Sequence, residues 1–173
     1  MSGKHQFFEQ LVRAYSTDLY RYAFWLCKNP TIAEDLVQES FMRAWRSIDR
    51  LKDEKSAKAW LVTIVRRENA RRFERFSPVM LELEAAWDQE SEEMGPLETL
   101  EQQQLYQAIM QLEEKYREPL LLQLIMGFSN IEIADQLGEA QATINTRLFR
   151  ARKLLKQAIS ETAESRVSGG ENG

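Results

Sequence analysis

Apolar residues recur at intervals of three and four along most of this chain, and this spacing limits the folds that it can adopt. In the first third the pattern is carried by Phe7, Phe8, Leu11, Val12, Tyr15, Leu19, Tyr22, Ala23 and Leu26. Such spacing places apolar side chains on one face of an α-helix, and the strict alternation of a β-strand does not occur there. The sequence therefore predicts an all-α fold.

Helix breakers divide this pattern into two groups of helices. In the first group, Asn29-Pro30, a polar turn at 49–55 and Ser77-Pro78 bound three helices. The second group includes a short helix closed by Gly138. With 173 residues the chain has room for two small domains. The predicted organisation is a helical domain at 7–76, an acidic linker at 77–96, a second helical domain at 97–159 and a disordered tail at 160–173.

Basic and acidic residues are separated along the chain, although the net charge is only −4. Residues 41–75 hold eleven Lys or Arg against five acids, a net charge of +6. Residues 76–114 hold ten acids and no basic residue, and basic residues return between Arg147 and Lys156. DNA binding is driven largely by Lys and Arg that neutralise phosphates. Two basic segments around an acidic one therefore predict two DNA-facing modules.

The chain lacks the residue patterns of an enzyme or of a membrane protein. Its one histidine is His5, and no metal-spaced cluster, phosphate-binding loop or nucleophile elbow occurs, so we expect no catalytic residue, no metal and no cofactor. No segment approaches the roughly 20 apolar residues of a membrane span, and the N-terminus lacks the apolar run of a signal peptide. We therefore expect a cytoplasmic protein without membrane insertion, in which Cys27 is a core residue.

A helix-turn-helix pattern lies in the last third of the chain. Residues 129–138 form a short apolar helix that ends at Gly138, and Ile144 and Leu148 anchor a second helix expected at 142–159. Asn and Gln side chains can pair with adenine edges, and Arg can pair with guanine or with phosphate. The residues expected to read DNA are Gln141, Thr143, Asn145, Thr146, Arg147 and Arg150. The alternative is an ordinary helical hairpin.

Two segments of the first half have distinctive patterns: residues 33–41 have the sequence Ala-Glu-Asp-Leu-Val-Gln-Glu-Ser-Phe, and residues 60–75 form a basic helix. Both resemble functional parts of bacterial sigma factors. Residues 33–41 look like the segment that docks on the β′ clamp helices of RNA polymerase. The basic helix at 60–75 is similar to the region that melts and binds the minus-ten promoter element as single-stranded DNA. The alternatives are a solvated acidic face and arginines that only solvate a surface helix.

This resemblance implies a role for ten residues of the first half. The implied polymerase-docking residues are Glu34, Asp35, Gln38 and Glu39. The implied minus-ten contacts are Trp60, Arg66, Arg67, Asn69, Arg71 and Arg72, with Trp60 a core residue first and a DNA contact second. In many relatives an aromatic residue precedes the Trp60 position by three, and an Asn stands at the Arg67 position. This chain has Ala57 and Arg67 there, so the usual base-capture residues are not carried over.

Segments from 7 to 157 together resemble the extracytoplasmic-function (ECF) group of RNA polymerase sigma factors. Residues 112–120 are similar to the approach to the domain that reads the minus-thirty-five element, and residues 147–154 are similar to the end of its recognition helix. Larger sigma factors carry a further domain where this chain has only the acidic linker. That linker is either a tether or a nucleic-acid mimic that threads near the RNA exit and active-site channels of the polymerase.

The resemblance implies a protein that joins core RNA polymerase, through the β′ clamp helices and the β subunit, and directs promoter recognition, DNA melting and initiation. It also implies a monomer when free, held by an anti-sigma factor. Two other classes stay open at this point. One is a stand-alone dimeric helix-turn-helix regulator, which would bind a palindrome without polymerase. The other is a protein-binding helical adaptor, which would show no salt-dependent affinity for DNA.

Overall fold

The computed structural model describes residues 2–75 and 99–169, and these residues form seven α-helices without a β-strand. The prediction of an all-α fold is confirmed. The helices are α1 Ser2–Cys27, α2 Pro30–Ser47, α3 Ala57–Arg75, α4 Leu100–Met110, α5 Glu114–Leu124, α6 Asn130–Leu137 and α7 Gln141–Gly169. They belong to two compact units, Met1–Glu93 and Met94–Gly173, so the prediction of two small helical domains is also confirmed. The predicted linker at 77–96 lies outside the described residues.

In the first unit, α1, α2 and α3 pack against one another around a shared apolar core. The core includes Leu19, Tyr22, Leu36, Leu61 and Val65, and Cys27 is buried as predicted. The break at Asn29-Pro30 is the start of α2: the Asn29 side chain accepts a hydrogen bond from the Ile32 backbone N–H at 3.1 Å, and Pro30 occupies the first helical position. Two short 3-10 turns, Ile48–Arg50 and Glu54–Ser56, lead from α2 to α3.

In the second unit, α6 and the start of α7 form the predicted helix-turn-helix. The side chains of Ile133, Ile144 and Leu148 are buried, as the apolar spacing predicts. A capping box begins α6: the Ser129 hydroxyl accepts from the Glu132 backbone N–H at 3.2 Å, and the Glu132 carboxylate accepts from the Ser129 backbone N–H at 3.1 Å. Gly138 ends α6 in the left-handed conformation, with φ 66°.

In the segment before the helix-turn-helix, apolar spacing and burial do not coincide. Leu100, Leu105, Ile109 and Leu112 have the spacing of one helical face, but only Ile109 and Leu112 are buried, while Leu100 and Leu105 are exposed. The chain leaves the helix after Met110 and starts α5 at Glu114. Leu112 therefore lies in the turn between α4 and α5, and the apolar spacing does not follow one helix across this break.

The structure also corrects the predicted end of the last helix. The sequence predicts an end near Ile159 and a disordered tail from 160, whereas α7 continues to Gly169. The extension lies beside α4: Ala158, Thr162 and Arg166 line a groove together with Gln104 and Ala108. Most residues that line this groove have polar or charged side chains, so the apolar periodicity used to end the helix could not show the contact. Residues 170–173 of the predicted tail lie outside the described part of the chain.

Replacing Gly138 with alanine is expected to lower the free energy of unfolding of the second unit by about 1 kcal/mol, because a left-handed residue with a Cβ is strained. A Cβ at this position would meet no atom within 4 Å, so the cost is conformational and not a clash. Urea denaturation of the full chain measures it. Gly3→Ala is the matched control, because Gly3 lies inside α1 with equally open surroundings. Equal effects of both substitutions would contradict the expectation.

Candidate nucleic-acid interface

An acidic and amide-bearing face is exposed on α2. Glu34, Asp35 and Gln38 are exposed, whereas Leu36 and Val37 between them are buried in the core of the first unit. The three outward side chains lie at spacings of three and four, so they share one side of the helix. Glu39 differs, because it is half-buried and its carboxylate lies 3.3 Å from the Arg43 guanidinium. The structure thus brings three of the four predicted docking residues together at the surface.

The hydroxyl of Tyr20 on α1 interacts electrostatically with the carboxylate of Glu34 on this face. Burial, followed by the charge of Glu34 and by the nearby Cys27, raises the pKa of Tyr20 above its ordinary value near 10. Even at its ordinary pKa this phenol is protonated at neutral pH, so it adds no negative charge to the acidic face.

Helix α3 buries its apolar side and presents arginines on the other. Leu61, Val62 and Val65 are buried, while Arg67 and Arg71 are exposed. Arg66, Asn69 and Arg72, which were predicted to contact DNA, are only half-exposed.

Two of the predicted minus-ten residues are held by the fold of the first unit. Arg66 donates a hydrogen bond to the Tyr22 hydroxyl at 3.1 Å, and Tyr22 has no exposed surface. Trp60 is half-buried and packs against the cluster of Leu11, Ile48 and Ala57. The core role predicted for Trp60 therefore agrees with its packing, and Arg66 has a structural contact that its sequence position did not indicate.

Ala57 is a core residue at the first position of α3. It is 1% exposed and belongs to the same cluster as Leu11 and Ile48. A buried methyl group cannot capture an unstacked base, so this chain has no base-capture side chain at that position.

Glu68 was not selected from the sequence as a functional residue, yet it lies at the centre of the basic surface. It is 5% exposed, and its carboxylate contacts the guanidinium groups of Arg43 on α2 and Arg71 on α3. The signal was present in the spacing, because Leu61, Val65 and Glu68 follow one another at four and three on the buried side of α3. An acid on an apolar face indicates a buried partner.

In the second unit, part of the predicted DNA-reading set lines a groove beside the start of α5. The predicted residues in the groove are Thr143, Thr146, Arg147 and Arg150. Lys115 and Tyr116 of α5 also line the groove, and sequence patterns did not select either of them. This concave surface carries an amine, a phenol and two guanidinium groups. Such groups suit contacts to the phosphate backbone that borders the DNA groove in which bases are read. Gln141 is exposed at the first position of α7.

Asn145 and Arg147 make contacts within the helix-turn-helix. The Asn145 side-chain oxygen accepts a hydrogen bond from the Asn130 amide at 2.6 Å, and the Asn130 oxygen accepts from Gln123 at 3.2 Å. This chain of amides joins α5, α6 and α7. Arg147 donates to the carboxylate of Glu139 in the turn at 3.3 Å. Asn145 therefore positions the helices in this structure, and Arg147 is held over the groove from one side.

The fold and these surfaces define a two-module DNA-binding protein: one helical unit with an arginine-lined face, and one with a helix-turn-helix. Residues 11–76 match the family Sigma-70 region 2, and residues 102–155 match the family Sigma-70, region 4. Each matched region lies within one of the two compact units. The match to region 2 excludes a regulator built on a helix-turn-helix alone.

The relatives identify the group. The chain is 30% identical to the ECF RNA polymerase sigma factor SigL of Mycobacterium tuberculosis, over 86% of each chain. It is 31% identical to the ECF RNA polymerase sigma factor BldN of Streptomyces coelicolor, over 94% of this chain and 64% of that protein, so it spans under two thirds of this relative. The chain belongs to the ECF RNA polymerase sigma factors, which are transcription initiation factors.

A solved structure shares the fold. The sigma factor RpoE from Bartonella quintana, in complex with the anti-sigma factor NepR, matches with a TM-score of 0.69 and 28% identity, over 88% of this chain and 96% of that one. Within the described ranges, no helix is long and apolar enough to cross a membrane. The same ranges contain no cluster of His, Cys, Asp and Glu that could hold a metal ion.

Proposed function

We propose that this sigma factor docks on core RNA polymerase through the exposed face of α2 and contacts the two promoter elements through α3 and α7. The observation that supports this most is the division of charge within the first unit. Carboxylates and an amide are exposed on the N-terminal half of α2, while guanidinium groups line the groove between the C-terminal half of α2 and α3. One small unit thus has one surface for a basic partner and another for an anionic one.

The docking partner of α2 is a basic helical surface, which in RNA polymerase is the pair of β′ clamp helices. Asp35 and Gln38 are exposed one helical turn apart, and Glu34 lies beside them. Exposed acids on a preformed helix steer a basic partner and accept its charge-assisted hydrogen bonds. The second unit would contact the β subunit, and the complete factor works in the bacterial cytoplasm with the polymerase.

The minus-ten element would be bound along α3. Arg67 and Arg71 are exposed there and suit backbone phosphates. Trp60, Arg66, Asn69 and Arg72 are half-buried, so they support that surface and contact DNA only with their exposed atoms. The minus-thirty-five element would be read by the Thr143, Thr146, Arg147 and Arg150 side of α7, with Lys115 and Tyr116 on the adjoining backbone.

An anti-sigma factor is the proposed regulator of the free monomer. The related RpoE is solved with such a partner. In this chain large apolar side chains are exposed beside the docking face, at Met42 and Trp45, and in the second unit at Leu124, Ile131 and Phe149. Exposed apolar groups of this kind favour a covering partner.

Reconstitution tests the proposed function. The purified chain is mixed with a matched core RNA polymerase, passed over a sizing column, and the complex is assayed for initiation on a genomic promoter library. We expect co-elution and initiation from promoters that share two asymmetric elements. Failure to associate with core, or a palindromic footprint without polymerase, would contradict the proposal. Light scattering of the free chain should give the mass of a monomer.

A further inference from the structure

Glu68 is a buried acid within a surface of arginines. Among the described residues, the buried polar or charged side chains are Ser40 and Glu68. Ser40 donates to the Leu36 carbonyl of its own helix, at 2.6 Å. Glu68 instead accepts from Arg71 Nη1 at 2.8 Å and contacts Arg43 Nε, both at the same carboxylate oxygen. A charge buried to this degree needs partners, and it has drawn them from two helices.

The contact with Glu68 leaves part of each guanidinium group of Arg43 and Arg71 exposed to solvent. The side chain of Glu68 is 4% exposed, whereas those of Arg43 and Arg71 are 33% and 45% exposed. A guanidinium group has five N–H donors in a flat fork, so one edge can face a buried acid while the other faces solvent. Each arginine therefore keeps donors for a second anion.

The surroundings are strongly cationic. Arg43 and Arg71 line a groove between α2 and α3 that is also lined by Arg46, Arg50 and Arg67. Five guanidinium groups so close together repel one another, and Glu68 is the one acid among the residues of that lining. Its position beneath the groove offsets the repulsion and fixes two of the five in place.

We propose that Glu68 is a positioning residue, which holds Arg43 and Arg71 side by side across α2 and α3 so that together they grip one phosphate of the promoter DNA backbone. The inference rests on the proposed function of the first unit, and it adds Arg43 and the groove to the contacts on α3. A phosphate held by two preorganised guanidinium groups receives several charge-assisted hydrogen bonds without a further loss of side-chain freedom.

If Glu68 positions the two arginines, removing its charge should lower the affinity for DNA, which is the opposite of the ordinary effect. Neutralising an acid near a DNA-binding surface ordinarily strengthens binding, because it adds net positive charge. Glu68→Gln should weaken binding instead, because a neutral amide no longer offsets the charge of the two arginines and accepts only weaker, uncharged hydrogen bonds from them. Glu74→Gln is the matched control: it removes the same charge from the same helix, at an exposed position six residues further on.

The test measures promoter affinity of the holoenzyme, assembled from core polymerase and the full chain, by fluorescence anisotropy of a labelled promoter fragment over a series of salt concentrations. For Glu68→Gln we expect about tenfold weaker binding. The slope of log affinity against log salt should fall by about one, the value for one lost phosphate contact. Glu74→Gln should bind as tightly as the parent or more tightly. Equal affinity and slope for the two variants would overturn the inference.

Two further measurements distinguish a failure of the proposed function from a failure of the role proposed for Glu68. Core binding and initiation by the parent chain are measured in the same preparation, so that their failure counts against the proposed function and not against Glu68 alone. If Glu68→Gln does not fold, Arg71→Gln replaces it, because Arg71 is exposed and Arg43 remains as a partner for the buried Glu68. Arg71→Gln should show the same fall in affinity and in the salt slope. An unchanged slope would refute the proposed contact of Arg43 and Arg71 with one phosphate.

Discussion

The double substitution Asp35→Ala with Gln38→Ala is expected to lower the affinity for core RNA polymerase about a hundredfold and to abolish promoter-specific initiation. The Asp35 carboxylate and the Gln38 amide oxygen can each accept hydrogen bonds from a cationic partner, and such bonds contribute about 1.5 kcal/mol or more apiece. The fold should survive, because both side chains are exposed while Leu36 and Val37 continue to hold α2 against the core. Fluorescence titration of labelled core polymerase gives the affinity, and circular dichroism checks the fold.

A matched control lies on α1. Gln6→Ala with Glu9→Ala also removes one amide and one acid at a spacing of three from an exposed helical face. Glu9 makes only an exposed pair with His5, at 3.3 Å, which contributes little to stability. This control should bind core polymerase like the parent. Retained affinity in the Asp35 and Gln38 variant would remove the acidic face of α2 from the docking surface.

Much of the first unit could be predicted because its signals are local. The break at Asn29-Pro30, the end of α2 at Ser47 and the outward side of α2 all follow from residues within one or two helical turns. Helical periodicity and capping operate over the same range, so single-helix features can be derived from sequence alone.

Contacts between helices were harder to derive, and the residues concerned show why. Asn145 has the residue type and spacing of a base reader, but its oxygen accepts a bond from Asn130, fifteen residues earlier. Arg66 has the position of a phosphate contact, but it donates to the buried hydroxyl of Tyr22. In each case the partner lies on another helix. Periodicity gives the side of a helix that a residue occupies, but not the polar group that meets it there.

The same reason explains the extension of α7 past the predicted end. The apolar stripe fades after Ile159, which favours an end there. In the following turns the hydroxyls of Thr162 and Ser165 each donate to a carbonyl of their own helix, at 2.9 Å, and Thr162 and Arg166 line a groove with Gln104 of α4. Polar side chains on α7 therefore meet the neighbouring helix, and they leave no apolar pattern in the sequence.

Arg147→Ala is expected to reduce initiation from promoters that depend on the minus-thirty-five element by about ten- to a hundredfold, the range for a lost bidentate contact to a base. Arg147 lines the groove with Thr143 and Arg150, and Glu139 holds it from one side. Core binding should change little, because Arg147 lies in the groove proposed to face DNA and the docking face on α2 is left intact. Arg166→Ala is the control: it removes the same side chain from the same helix, more than five turns away, and should initiate like the parent.

Arg147→Lys separates a base contact from a phosphate contact. Lysine keeps the charge but loses the flat fork, so a base-reading arginine cannot be replaced by lysine, whereas an arginine bound only to phosphate can be replaced in large part. If Arg147 reads a base, Arg147→Lys should initiate as poorly as Arg147→Ala, and substitutions at one base pair of the element should cease to matter in either variant. If Arg147→Lys initiates like the parent, Arg147 binds the phosphate backbone. Gln141, Thr143 and Arg150 are then the residues expected to contact bases.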